Sequence, residues 1–131
     1  MLKDGGIEFF DPNDNSLSGL AVSEADLGGN IAAAVVATPT KGYAIVGILS
    51  TDTHVVSFNP ETGEKLETLL EADGWIYDAL ALKPDGTELW ITDRTSTSPG
   101  VRIFDTQTDT EITSEPINVG LPPTAICFTG V

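Results

Sequence analysis

His54 is the chain's only histidine, and in "STDTHVVS" it stands close to Ser50, Asp52 and Ser57. These are the residue types of a nucleophile, base and acid triad, which attacks acyl carbons. Such a triad also needs an oxyanion hole and a fixed geometry, and nearness in sequence supplies neither. His54 is therefore read as a surface residue at the loop end of a strand, available to a ligand. There is no glycine-rich phosphate loop, no H-E-x-x-H and no G-x-S-x-G, so no catalytic residue is assigned.

Carboxylates offer the second kind of chemistry. Glu24-Ala-Asp26 and Glu71-Ala-Asp73 recur 47 residues apart. A divalent cation takes several oxygen ligands, so Glu24, Asp26, Glu71 and Asp73 are the metal candidates if the two pairs converge. Solvated turn acids are the simpler expectation. "DPNDNSL" from Asp11 has the spacing of the first half of a calcium loop. Ser16 stands where the sharp turn needs Gly, and Val22 where a bidentate Glu belongs, so a turn is expected. Cys127 is the single cysteine, which rules out an internal disulfide and a four-thiolate zinc site. Its apolar neighbours in "TAICFTG" suggest a small buried hydrophobe. No cofactor is expected beyond a possible divalent cation.

Composition limits the partners. The chain has 131 residues, the size of one domain, with 40% hydrophobic and 20% charged residues, which describes a globular protein. Six basic against twenty acidic residues give a net charge of −14. That field repels phosphate backbones and anionic lipid, so neither nucleic acid nor membrane insertion is expected. The longest apolar stretch, "IAAAVVA" from Ile31, falls far short of the ~20 residues of a membrane helix. The opening "MLKDGGIEFF" contains no signal peptide pattern.

The elements that must position these groups are legible as a repeat. Phe10, Phe58 and Phe104 lie 48 and 46 residues apart, each closing a strand-like run: "GIEFFD", "HVVSFN", "GVRIFD". Asp11, Asn59 and Asp105 follow, where a side-chain oxygen can bond the backbone N–H two residues on and build a turn. Upstream stand β-branched and aromatic runs, "YAIVGI" and "LWITD". Before those come small apolar runs, "AAAVVATP", "DALALKP" and "PTAICFTG". The alanines alone would suit a helix, but alignment with the other two runs predicts strand over 31–37. A fourth, more polar family, "NSLSGLAV", "EKLETLL" and "TEITSEPINV", has the charges and the proline of protected edge strands.

Four strands per unit of roughly 46 residues, graded from small and apolar to polar, match the size of a propeller blade. The residues also resemble a known family. "LKPDGTELWITDR", "VRIFDTQTDTEI" and "INVGLPPTAICF" are similar to the YVTN-type repeat of surface-layer-like and lactonase-like β-propellers. Pro84-Asp85-Gly86 matches its first turn, Ile103 to Asp105 its third strand end, and Val119, Gly120 and Pro122 or Pro123 its lead into the next blade. The match is good over residues 76–128, weaker over 31–75, where "TPTKG" replaces the Pro-Asp-Gly turn, and partial before residue 22.

The expected fold class is all-β, an incomplete array of about two and three-quarter four-stranded antiparallel blades. It comprises a blade remnant at 5–22, a blade at 31–70, a blade at 76–118 and the first strand of a next blade at 123–128. Strands are expected near 5–11, 16–22, 31–38, 42–49, 54–59, 64–70, 76–83, 87–93, 100–105, 110–118 and 123–128. Alternating direction puts short, repeated turns at one end and longer, variable loops at the other. Variable loops on a rigid scaffold carry binding, so Asp52, His54, Glu71, Asp73, Asp93 and Arg94 are the ligand-binding candidates. The resemblance implies either of two functions. One is a non-enzymatic recognition or architectural module of a larger envelope or extracellular protein. The other is a fragment of a lactonase-like hydrolase whose site is completed by further blades. Implied partners are other blades of a longer parent, a second copy through open blade faces, or a protein or small-molecule ligand.

Overall fold

The β-branched and aromatic runs form strands in the computed structural model, which describes residues 5–48 and 51–130. Among these residues nine strands follow in order: β1 (Gly6–Asp11), β2 (Ser16–Ser23), β3 (Asn30–Thr38), β4 (Lys41–Ile48), β5 (Asp52–Phe58), β6 (Lys65–Ala72), β7 (Tyr77–Leu82), β8 (Glu88–Asp93) and β9 (Gly100–Asp105). All pairings are antiparallel between chain neighbours, in sheets β1-β2, β3-β4-β5-β6 and β7-β8-β9. Residues 31–37 are strand, so alignment with the repeat outweighs alanine's helix propensity there. Among the described residues no helix is long and apolar enough to cross a membrane.

The inner strands β4 and β5 of the four-stranded sheet are covered on both faces, and β4 shows how. Tyr43 and Ile45, with Val55 of β5, join Tyr77, Leu89, Ile91 and Phe104 of the β7–β9 sheet in one core cluster. Ala44 and Val46, with Val56 and Phe58 of β5, join Val22 and Leu27 in a second. Successive side chains point to opposite faces of a strand. A strand that meets apolar neighbours on both sides must therefore be apolar throughout, as "GYAIVG" is. β1 and most of β2, by contrast, are exposed.

Three differences from the sequence reading have physical causes. A four-residue helix, α1 (Glu24–Leu27), replaces the loop expected there. Ser23 Oγ accepts from the Asp26 N–H and Gly28 closes the helix at φ 89°, a capping pattern that the sequence S-E-A-D-L-G does contain. Residues 110–118 form no continuous strand and pair with β9 as isolated bridges at Glu111 and Ile117, with single backbone bonds from Asp105 to Thr110 and from Ile112 to Ile103. Pro116 lacks an N–H, and Thr113 Oγ1 rather than a backbone carbonyl accepts from the Ile103 N–H. Residues 123–128 form no strand, and no strand among the described residues pairs with them. Phe128 instead sets its ring edge on Trp90, with centroids 5.1 Å apart. Cys127 is exposed rather than buried. Leu49, the expected end of the β4 run, and Ser50 lie outside the described residues.

Candidate functional site

The loop end gathers the starts of β5, β7 and β9 with the ends of β6 and β8, so all six ligand candidates lie at one end of the sheets. The structure gives them different roles. Asp52 Oδ1 accepts from the Gly74 N–H at 3.1 Å. Beside it Thr53, fully buried, donates to the Gly74 carbonyl and accepts from the Ile76 and Tyr77 N–H groups. Asp52 and Thr53 together pin the loop between β6 and β7. Thr92 does the same for the start of β7, its Oγ1 accepting from Asp78 and Ala79. Neither threonine stood out in the sequence, where hydroxyls are common in every loop.

His54 is half-buried in β5, paired with Val46 on one side and with the exposed Glu71 on the other. Ser57 is three positions along the same strand, so it faces the opposite side of the sheet. Its Oγ accepts from the Glu67 N–H. Ser57 cannot serve His54 as a nucleophile, which removes that version of the triad. Asp73 is exposed in the loop after β6.

Asp93 is not available to a ligand. Its side chain is 1% exposed. Oδ2 accepts from Arg102 Nε at 2.6 Å, and Oδ1 accepts from the Thr95 N–H at 2.9 Å and hydroxyl at 2.6 Å. Arg102 Nη1 continues to Glu111 Oε1 at 2.8 Å, which also accepts from Thr113 Oγ1. The expected binding carboxylate is thus the anchor of an ionic chain that ties the irregular 110–118 segment to β8 and β9. Arg94 is exposed, its N–H donating to the Ile76 carbonyl and its Nη1 lying 3.6 Å from Asp78 Oδ2. Asp78 Oδ1 accepts from Trp75 Nε1 at 3.3 Å. The Trp75 ring lies over Gly47, where a Cβ would come within 3.1 Å of it.

The metal candidates do not converge. Glu24 accepts from the Ile31 N–H and Asn30 Nδ2 at 2.9 Å each, and from the Gly5 N–H at 3.2 Å. The Ile31 bond foremost, with help from Gly5 and Asn30, holds its carboxyl below the ordinary value. Asp26 Oδ2 accepts from Ser23 Oγ within the helix cap. Among the described residues no group of three His, Cys, Asp or Glu side chains could hold a metal ion. In "DPNDNSL", Asp11 and Asp14 accept from the N–H groups of Asn13 and Ser16 in their own turn, the turn that the sequence suggested.

The turn end holds features the sequence did not flag. Asp109, at φ 55°, accepts from Tyr43 Oη at 2.6 Å and pairs with Lys41 Nζ at 2.8 Å, tying β4 to the turn after β9. Burial foremost, then the bond and charge of Asp109, pushes the Tyr43 phenol well above its ordinary value. A cleft of about 320 Å³ lies nearby, lined by Thr38, Asp85, Gly86, Thr87, Asp105, Thr106 and Gln107. Its two carboxylates are occupied by their own turns: Asp85 Oδ1 takes the Thr87 N–H and hydroxyl, and Asp105 Oδ1 takes the Gln107 and Thr108 N–H groups. Both carboxyls are held below the ordinary value by these bonds.

Comparison of the chain with protein-family models, with curated proteins and with solved structures gives no match.

Proposed function

We propose that the chain is a non-enzymatic β-propeller module for recognition or architecture, part of a larger envelope or extracellular protein. The observation that carries this reading is the middle sheet. Four antiparallel strands in the order β3-β4-β5-β6, with the inner strands β4 and β5 packed on both faces against neighbouring units, are what a blade would require. The YVTN-like turns and strand ends support the same reading. Recognition would fall to the loop end, where Glu71, Asp73, Trp75 and Arg94 are exposed and His54 stands half-buried beside Glu71. Location and family rest on the resemblance alone.

Two measurements test the proposal. A crystal structure should show successive sheets rotated about a common axis by about 45–90°, the steps of four to eight blades. Sheets stacked without a common axis would refute the propeller. The purified chain should leave a panel of lactones and carboxylic esters at their buffer hydrolysis rates, with or without calcium or zinc. Turnover that vanishes in His54→Ala would overturn the non-enzymatic reading and favour the lactonase-like hydrolase.

A further inference from the structure

The loop between β6 and β7 holds a tryptophan on a fixed mount. Asp52 accepts from the Gly74 N–H, Thr53 from Ile76 and Tyr77, and Thr92 from Asp78 and Ala79, while the Arg94 N–H donates to the Ile76 carbonyl. The Trp75 ring is held at both ends. Its six-membered ring lies against Gly47, where a Cβ would meet Cζ3 at 3.1 Å and Cη2 at 3.4 Å. Its Nε1–H donates to Asp78 Oδ1 at 3.3 Å. Trp75 is nonetheless 46% exposed. Beside it are polar atoms with unused capacity. Arg94 Nη1 stands 3.6 Å from Asp78 Oδ2, an ion-pair distance, and neither the guanidinium nor Oδ2 makes a hydrogen bond among the described residues. Asp85 and Asp105, by contrast, accept from their own turns, and Asp93 from Thr95 and Arg102.

We propose that Trp75, Asp78 and Arg94 form a binding site for a neutral pyranose sugar with adjacent hydroxyl groups. The C–H face of the sugar lies on the exposed indole, one hydroxyl donates to Asp78 Oδ2, and its neighbour accepts from Arg94. Charge selects this class. Asp78 repels an anion and Arg94 a cation, and the net charge of −14 adds to the first repulsion. A hydroxyl both donates and accepts, so a pair of them serves the carboxylate and the guanidinium without separating the two charges. A wholly apolar ligand would strip water from the Asp78–Arg94 pair and return no hydrogen bond. Because the backbone under the site is already pinned, little ordering remains to be done on binding. The inference deepens the loop-end recognition reading and rests on it.

The test titrates the full, isotope-labelled chain with the methyl glycosides of glucose, galactose and mannose and follows it by NMR. The Trp75 indole N–H should shift saturably, with a dissociation constant of about 1–10 mM for the preferred sugar. The Trp90 indole, bonded to Glu88, should stay in place. Trp75→Ala and Arg94→Ala, both at exposed positions, should each weaken binding about tenfold or more, read by saturation transfer to the sugar protons. No saturation by any of these sugars at about 50 mM, in a chain whose amide spectrum is that of a folded protein, would overturn the site and leave the module reading standing. Binding that both variants leave unchanged would overturn it as well. Tighter binding of glucuronate or of choline than of the neutral sugars would show recognition of charge and refute the proposed ligand. The module reading itself fails on the sheet axis and on lactone turnover, which these titrations do not touch.

Discussion

Replacing Asp93 with Ala separates a structural carboxylate from a binding one. The substitution strips three donors of their acceptor: Arg102 Nε, the Thr95 N–H and the Thr95 hydroxyl. Removing one partner of a fully buried pair costs about 3–5 kcal/mol, because a charge is left without compensation. Arg102 keeps Glu111 and a side chain 23% exposed to water, so solvent and the second carboxylate absorb part of that penalty. The expected loss is about 2–3 kcal/mol, which for a chain of this length lowers Tm by roughly 10 °C. Urea unfolding followed by circular dichroism measures it, with Glu111→Ala and the double variant completing a cycle. Linkage through Arg102 predicts a coupling of at least about 0.5 kcal/mol between the two sites. A single-variant loss below about 0.5 kcal/mol, or strict additivity, would show that the ionic chain does not hold the 110–118 segment.

Other outcomes follow from the same geometry. Both tyrosine pKa values are raised in the folded state, chiefly by burial. The phenols therefore contribute stability that is intact below about pH 10, the ordinary tyrosine value, and is lost as pH rises above it. Phenolate absorbance should appear together with unfolding; two tyrosines titrating before any loss of structure would contradict this. Phe58→Ala should cost about 3–5 kcal/mol and Phe10→Ala less than about 1 kcal/mol, read from urea midpoints; equal losses would deny that β1 lacks the cover β5 has. The Glu24 carboxyl is held below its ordinary value of 4.5, so its contribution is full above that pH and is lost as pH falls through the lower folded value. Glu24→Gln should therefore lower the midpoint at pH 7 and shrink the gap between pH 7 and pH 3, and an unchanged gap would show that the carboxylate does not anchor β3.

The strands were legible where side-chain pattern and burial agree. β4, β5, β8 and β9 are apolar because layers or sheet neighbours cover them, and their ends fall within two residues of expectation. The 110–118 and 123–128 segments carry the same residue types and form no strand, because a strand also needs a partner edge. Pro116 limits the first, and no strand among the described residues pairs with the second. α1 was missed because its S-x-x-D cap is a four-residue signal within a loop-like stretch. Among the candidate residues, position was legible and role was not. Asp93 and Arg94 are adjacent and equally polar in sequence, yet one is sealed by Arg102, more distant in sequence, and the other faces water. Nothing local distinguishes them.

Repetition itself explains this unevenness. Asp11, Asn59 and Asp105 recur because each accepts the N–H two residues on and so folds its own turn. Asp85 does the same for Thr87. A residue kept in step with the repeat is one each unit needs for its own turn, and its oxygens are already engaged. Function is then to be sought where the units differ at equivalent places. Trp75 over Gly47, with Asp78 and Arg94 beside it, belongs to one unit only. So does the His54–Glu71 pair across β5 and β6. In β1, Phe10 keeps the residue type of the repeat and is exposed, unlike Phe58 and Phe104.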